Sequence, residues 1–119
     1  LGHEEIGMVP NEKEWSKSEK EIARNVYRAA YNRECKAISE NVRKMAAEIE
    51  NSTDLWRLHT YLTEKREETD EKYDYRYSVL RFVFARLLQE GWIKQEDLSG
   101  ISEDKLQEIF AIAEFYASV

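Results

Sequence analysis

Apolar residues along this chain recur at steps of three and four and almost nowhere alternate. Tyr31, Cys35, Ile38, Val42, Met45 and Ile49 follow one another by four, three, four, three and four positions. Such a rhythm holds a seam on one side of a helix, facing a neighbour as in a bundle or coiled coil. Ile22, Val26 and Ala29 form an earlier stripe on a slightly rotated face, which predicts a kink or a second neighbour. Ser16 or Ser18 opens this first helix, because Glu19 or Glu21 stands three residues further on in each case. The helix is expected to stop near Asn51-Ser52.

Thr53 or Asp54 then caps a second helix by offering an oxygen to its exposed amides. Leu55, Leu58, Leu62 and the stem of Lys65 share one face. Trp56, His59, Thr60 and Thr63 lie on the adjacent face, and Arg66 joins it two turns beyond His59. From Glu64 to Glu71 the chain is charged on every side, which reads as a solvated helix end. Asp74 is a candidate start for a third helix running through Glu90 and stopped by Gly91. Val79, Leu80, Phe82, Val83, Phe84, Leu87 and Leu88 make that helix apolar on several sides, as the core of a small head would be. Gln95 to Leu98 reads as one short turn. Ser102, followed by Glu103 and Asp104, opens a last helix with Leu106, Ile109, Phe110, Ala113 and Phe115 facing inward. No alternating run competes, so the fold class is all-α. Residues 1–14 have no periodicity and contain Pro10 and two glycines; they read as a flexible N-terminal arm, with Met8 a candidate start. Residues 15–72 then form a long-helix dimerisation region, and 73–119 a helical head.

Composition narrows the function classes. The 119 residues are 35% charged and hold only four glycines and one proline, so helix is permitted almost throughout. A long helical hairpin buries one stripe per helix, and pairing two chains is a natural way to complete the burial. The formal charge of −6 argues against a general nucleic-acid binder. Cys35 is the single cysteine, which excludes an internal disulfide and a cysteine-based zinc site and fits a reducing cytoplasm. No apolar run approaches the roughly 18 to 20 residues that a membrane span needs, so no membrane insertion is expected.

Candidate chemistry is sparse. His59 near Glu67 and Glu68 lacks a second histidine to share a metal, His3 lying in the arm. Ser78 and Cys35 have no histidine at an activating spacing, so neither catalysis nor a metal or other cofactor is expected. The tyrosines of Lys72-Tyr73-Asp74-Tyr75-Arg76-Tyr77 could stack bases, but the interleaved acids would repel phosphates; anchoring a helix junction suits them better. Trp56, beside Arg57, His59 and Arg66, has the composition of a binding hot spot. Spacing alone leaves it equally readable as a core residue beside Leu55.

The block Lys72-Tyr73-Asp74-Tyr75-Arg76, then Ser78-Val79-Leu80 and Phe82-Val83-Phe84-Ala85-Arg86-Leu87, is long and unusual. With Asp54-Leu55-Trp56-Arg57-Leu58-His59 and Glu90-Gly91-Trp92, it resembles the cyanobacterial fluorescence recovery protein family. The resemblance covers most of the chain beyond the arm and weakens from Asp97 to Leu106. It implies a homodimer with antiparallel long helices, each bearing a helical head. It also implies binding to the photoactivated, red form of the orange carotenoid protein, mainly at its C-terminal domain. There the family speeds return to the orange form, ending quenching at the phycobilisome and restoring fluorescence. By position, the resemblance places partner contacts at Trp56, His59, Thr60, Arg66 and Phe82. It places the dimer interface at Leu55 and Trp56, which would add to the seam of Ile38, Val42, Met45 and Ile49. Family members commonly carry an aspartate where this chain has Thr60, which puts an acid–arginine pairing in question. The implied location is cytoplasmic, near the cytoplasmic face of thylakoids. The rival readings are a helical dimeric adaptor with another protein partner and, more remotely, a small hydrolase acting through His59 and Glu67.

Overall fold

A computed structural model describes residues 14–119. Most of the expected arm therefore lies outside the described residues. Four α-helices and one 3-10 turn follow in order: α1 (Lys17–Ala47), α2 (Ser52–Lys72), α3 (Leu80–Glu90), the 3-10 turn (Gln95–Leu98) and α4 (Glu103–Ser118). The described residues form no strand beyond an isolated bridge between Ser99 and Ile101. The all-α expectation is met.

Ser16 takes the capping role at α1. Its hydroxyl accepts from the Glu19 amide at 3.1 Å while the Glu19 carboxylate accepts from the Ser16 amide at 2.8 Å. The earlier stripe on this helix found its second neighbour, since Val26 is buried and Ile22 packs against the head core. The helix stops at Ala47, a turn sooner than expected, and α2 is capped by Asn51 instead of Thr53 or Asp54. Asn51 Oδ1 accepts from the Asp54 amide at 3.0 Å, and Asp54 Oδ2 accepts from the Glu50 amide at 3.1 Å. Asp54, at the third helical position, thus serves the amide of the residue before the cap and leaves the cap itself to Asn51.

The third helix also departs from expectation. It begins at Leu80, not Asp74, because the preceding segment is fastened to α1. The Tyr27 hydroxyl donates to the Tyr73 carbonyl at 2.7 Å, and Tyr75 and Tyr77 rest on the core. Asp74 turns outward to Arg76, which leaves it no role as a cap. Gly91 ends α3 at φ 87°, with the Trp92 amide donating to the Leu87 carbonyl at 2.9 Å. The head core joins Leu80, Phe84, Leu87, Leu98 and Ile109 to Trp15, Ala23 and Ala30 from the start of the chain. Glu14, assigned to the arm, is instead fixed: its carbonyl accepts from Lys105 Nζ at 2.7 Å. Gly100 takes φ 99°, which favours glycine, and a Cβ there would stand 2.5 Å from Ile22 Cδ1, so a side chain at this turn would also have to displace the end of Ile22. Phe115 is 62% exposed, contrary to expectation. It lies two positions past buried Ala113, which puts it across the helix, while Ile112 and Tyr116 face the core.

The hairpin of α1 and α2 extends away from this head, giving extents of 66 × 30 × 27 Å. Along it, Cys35, Ile38, Val42, Met45, Ile49 and Leu58 are only half-buried, and Tyr31, Leu55 and Leu62 are exposed.

Candidate functional site

The outer face of α2 carries the residues singled out from the sequence. Trp56 is 62% exposed and stands against His59, the ring centroids 6.3 Å apart and nearly perpendicular. A buried-core role for this indole within one chain is therefore set aside. His59 and Thr60 are exposed, and Leu55 beside them is 44% exposed. Arg66 projects into solvent and is held by Asp70, its Nε donating to Oδ2 at 3.0 Å. This i, i+4 pair supplies an acid for the arginine from a position other than 60, and Lys65 turns to Glu68 at 3.6 Å. An exposed pair of this kind contributes little to stability but limits the directions the guanidinium samples.

Arg66 is also tied electrostatically to α1. The Tyr31 hydroxyl is pushed above the usual tyrosine range, first by its hydrogen bond with Cys35; Asp70 raises it further while Arg66 opposes. Farther along the hairpin, Asn41 Nδ2 donates to the Tyr61 hydroxyl at 2.9 Å. Phe82 is not part of this cluster. It lies on α3 in the head and is 50% exposed. The seam residues Ile38, Val42 and Met45 line α1 on the hairpin and Ile49 follows in the connection to α2, all half-covered by their own chain.

Among the described residues no group of three His, Cys, Asp or Glu side chains is placed to hold a metal ion. His59 contacts Trp56, and no hydrogen bond joins it to Glu67. Open depressions of about 220 and 300 Å³ lie elsewhere, along Arg33, Trp92 and Asp97. No helix in the described residues is long and apolar enough to cross a membrane.

The junction between hairpin and head holds a group that the sequence reading missed. Lys72 Nζ, almost fully buried, donates to Glu34 Oε2 and Glu90 Oε1, both at 2.6 Å. The Tyr73 hydroxyl donates to the other Glu34 oxygen at 2.8 Å. Burial pushes the Tyr73 phenol far above its ordinary range, and Glu34 adds to that. Burial also pushes the Glu90 carboxyl up, but Lys72, Arg86 and the Trp92 indole outweigh it and hold the group below the usual carboxylate value. A similar outcome applies to Glu19: burial opposes ionisation, yet the Ser16 and Ser102 amides and Lys105 keep its carboxyl low. A signal existed: Glu19, Ala23, Val26, Ala30 and Glu34 are buried at helical spacing on α1. Small residues ended by glutamates do not look like a core stripe, so the pattern passes unnoticed.

Residues 15–113 match the family model described as photoprotection regulator fluorescence recovery protein. A fluorescence recovery protein from Synechocystis sp. is 43% identical over 99 residues, covering 83% of this chain and 91% of the relative. The solved structure of the Fremyella diplosiphon fluorescence recovery protein superposes with a TM-score of 0.81 at 45% identity. It covers 84% of this chain and 98% of that one. The Synechocystis structure gives the same TM-score and coverage at 43% identity.

Proposed function

This chain belongs to the fluorescence recovery protein family of photoprotection regulators, and from that membership we propose that it acts on the orange carotenoid protein. It binds the photoactivated red form, mainly at the C-terminal domain, and accelerates the return to the orange form. Quenching at the phycobilisome then ends and fluorescence recovers. The chain works as a homodimer whose hairpins pair antiparallel and present the two heads, in the cytoplasm near the thylakoid face. The division into an arm (1–14), a dimerising long-helix region (15–72) and a head (73–119) belongs to the same reading.

One observation carries most of the weight. A tryptophan, a histidine and an arginine stand exposed together on α2, with Arg66 steadied by Asp70 and no catalytic partner beside His59. Trp and Arg on a water-exposed face suit contact with another protein. Beside them the half-exposed seam of Ile38, Val42, Met45 and Ile49, with Leu55, suits a second copy. Arg66 gives an oriented, charge-assisted bond to a carboxylate on the carotenoid protein. Trp56, His59 and Thr60 shape that contact or hold the dimer that presents it, and Phe82 reaches the partner from the head.

Acceleration here needs no bond to be made. The dimer must bind the path between the two forms more tightly than the red form itself. Holding the separated domains of the carotenoid protein together lowers the entropy cost of reuniting them. Every 1.4 kcal/mol or so of such differential binding gives about tenfold in rate. The dark decay of the red form, followed with and without the chain, tests this directly. Faster decay at substoichiometric amounts is expected. Unchanged decay leaves the rival reading, a helical dimeric adaptor with a different protein partner, for which Thr60 in place of an acid is the favouring feature.

A further inference from the structure

The Trp56–Arg66 face lies on α2 and Phe82 on α3, and one buried group stands between them. Of the α2 side chains, Thr69 and Lys72 alone are buried, both in the last turn, so the helix that carries the site joins the head there. Lys72 Nζ reaches Glu34 on α1 and Glu90 at the end of α3, each at 2.6 Å. The other Glu34 oxygen takes the Tyr73 hydroxyl, and the Tyr73 ring meets exposed Tyr31 edge-on at 5.1 Å. Glu90 also accepts from Arg86 Nε at 3.0 Å, and Arg86 stands one helical turn from Phe82. From Lys72 back to Arg66 is six residues, about 9 Å along α2.

Closing a joint with an ammonium and two carboxylates gains little stability. Apolar side chains of similar volume often do as well or better, and the best-attested use of buried polar groups is to fix a register. Apolar contact has no preferred direction, so an apolar joint would let α2 roll or slide against the head. The bonds of Lys72 do not. A roll of α2 about its axis, or a slip by one residue, would carry the ammonium off both carboxylates and leave charges unpaired where there is little water. The network therefore selects one orientation of the Trp56–Arg66 face relative to Phe82.

We propose that Lys72 is a positioning residue for the partner contact: by tying α2 to Glu34 and Glu90 it holds the hairpin face and Phe82 in the arrangement that meets one partner molecule with both. The inference rests on the function proposed above and deepens it. Two contacts held at the right spacing reinforce each other, since making one brings the other into place; a loose joint forfeits that gain. Lys72 acts through its neighbours and touches no partner, its side chain being 2% exposed.

The test is a double-mutant cycle on affinity for the red carotenoid protein. Phe82→Ala and Arg66→Ala are each measured in the unaltered chain, in Lys72→Met and in Glu90→Ala. Glu90→Ala cuts the tie to α3, leaves the Glu34 bond, and falls on a side chain 27% exposed, so it carries the test if Lys72→Met folds poorly. Circular dichroism and light scattering check helix content and dimer mass. In the unaltered chain Phe82→Ala is expected to weaken binding about fivefold or more. In either joint variant it should cost less than about twofold, while Arg66→Ala keeps its full effect. A merely structural role for Lys72 would leave the Phe82 ratio as it was. Three results overturn the proposal. They are the same Phe82 ratio in every background, no effect of Phe82→Ala in the unaltered chain, or a Glu90→Ala chain that loses its helix content, since the joint would then hold the fold and not the orientation. An unaltered chain that fails to bind the red form removes the proposed function itself, so the two failures are separable.

Discussion

Arg66 shows how much a single exposed side chain can be asked to carry. Among the described residues its side chain bonds Asp70, and both side chains are mostly in water, so the pair contributes about 0 to 1 kcal/mol to the fold. Arg66→Ala is therefore expected to leave the urea midpoint almost unmoved while slowing red-to-orange recovery by about tenfold or more. Wild-type recovery kinetics in that variant would remove Arg66 from the site. Helical spacing was enough to put Trp56, His59 and Arg66 on one face. The same spacing also points to Asp70 as the arginine's partner, the one nearby acid four residues on. It could not separate Trp15, buried beneath Lys105, from Trp56, open to water. That difference depends on residues some 90 positions away.

The elements meet at Lys72, where the end of α2 is fixed between α1 and the end of α3. Its ammonium is bonded to two carboxylates in a place with little water. Removing one member of a buried pair leaves the others uncompensated and typically costs 3 to 5 kcal/mol, so Lys72→Met should cost about 3 kcal/mol. The lower end is expected because Tyr73 still serves Glu34 and Arg86 still serves Glu90. Urea unfolding measures this, and a loss below about 1 kcal/mol would mean the junction is held by its apolar neighbours alone. Periodicity located each helix but misplaced the ends that depend on tertiary contacts. Asp74 is a good cap by composition, yet the chain around it is fastened by the Tyr27 bond to the Tyr73 carbonyl and stays out of helix until a turn at residues 77–79. Helix α3 can then start only at Leu80. Phe115 was misread for a simpler reason: apolar residues crowd α4 on both sides, and composition does not say which side is covered.

For the whole molecule, the hairpin leaves an apolar seam half in water, and a second copy is the expected cover. Light scattering should give twice the 14.1 kDa chain mass. Leu55→Glu should return the mass to that of one chain, because an unpaired carboxylate cannot be buried in the seam without several kcal/mol of penalty. A dimer that survives this change would place the interface elsewhere.

Stability should also fall at both ends of the pH scale. Glu19 and Glu90 have folded values below the ordinary carboxylate range, so the unfolded chain binds protons first on acidification. Their contribution is full above about pH 4.5 and is lost as pH falls through the folded values. Tyr27, Tyr73 and Tyr75 are raised, so their contribution is full below about pH 10 and is lost as the pH climbs past it. Thermal melts across pH should show a plateau between these limbs. A midpoint still flat at pH 3 would contradict the acid limb.

The three tryptophans sit in three different settings: Trp15 sealed in the head, Trp92 partly covered with its indole on Glu90, and Trp56 in water on the hairpin. Solvent relaxation makes the wet indole emit furthest to the red and leaves it open to collisional quenchers. The molecule thereby carries its own optical reporter, since iodide should dim Trp56 first. Loss of that quenching would reveal, without any label, the moment another surface closes over the hairpin.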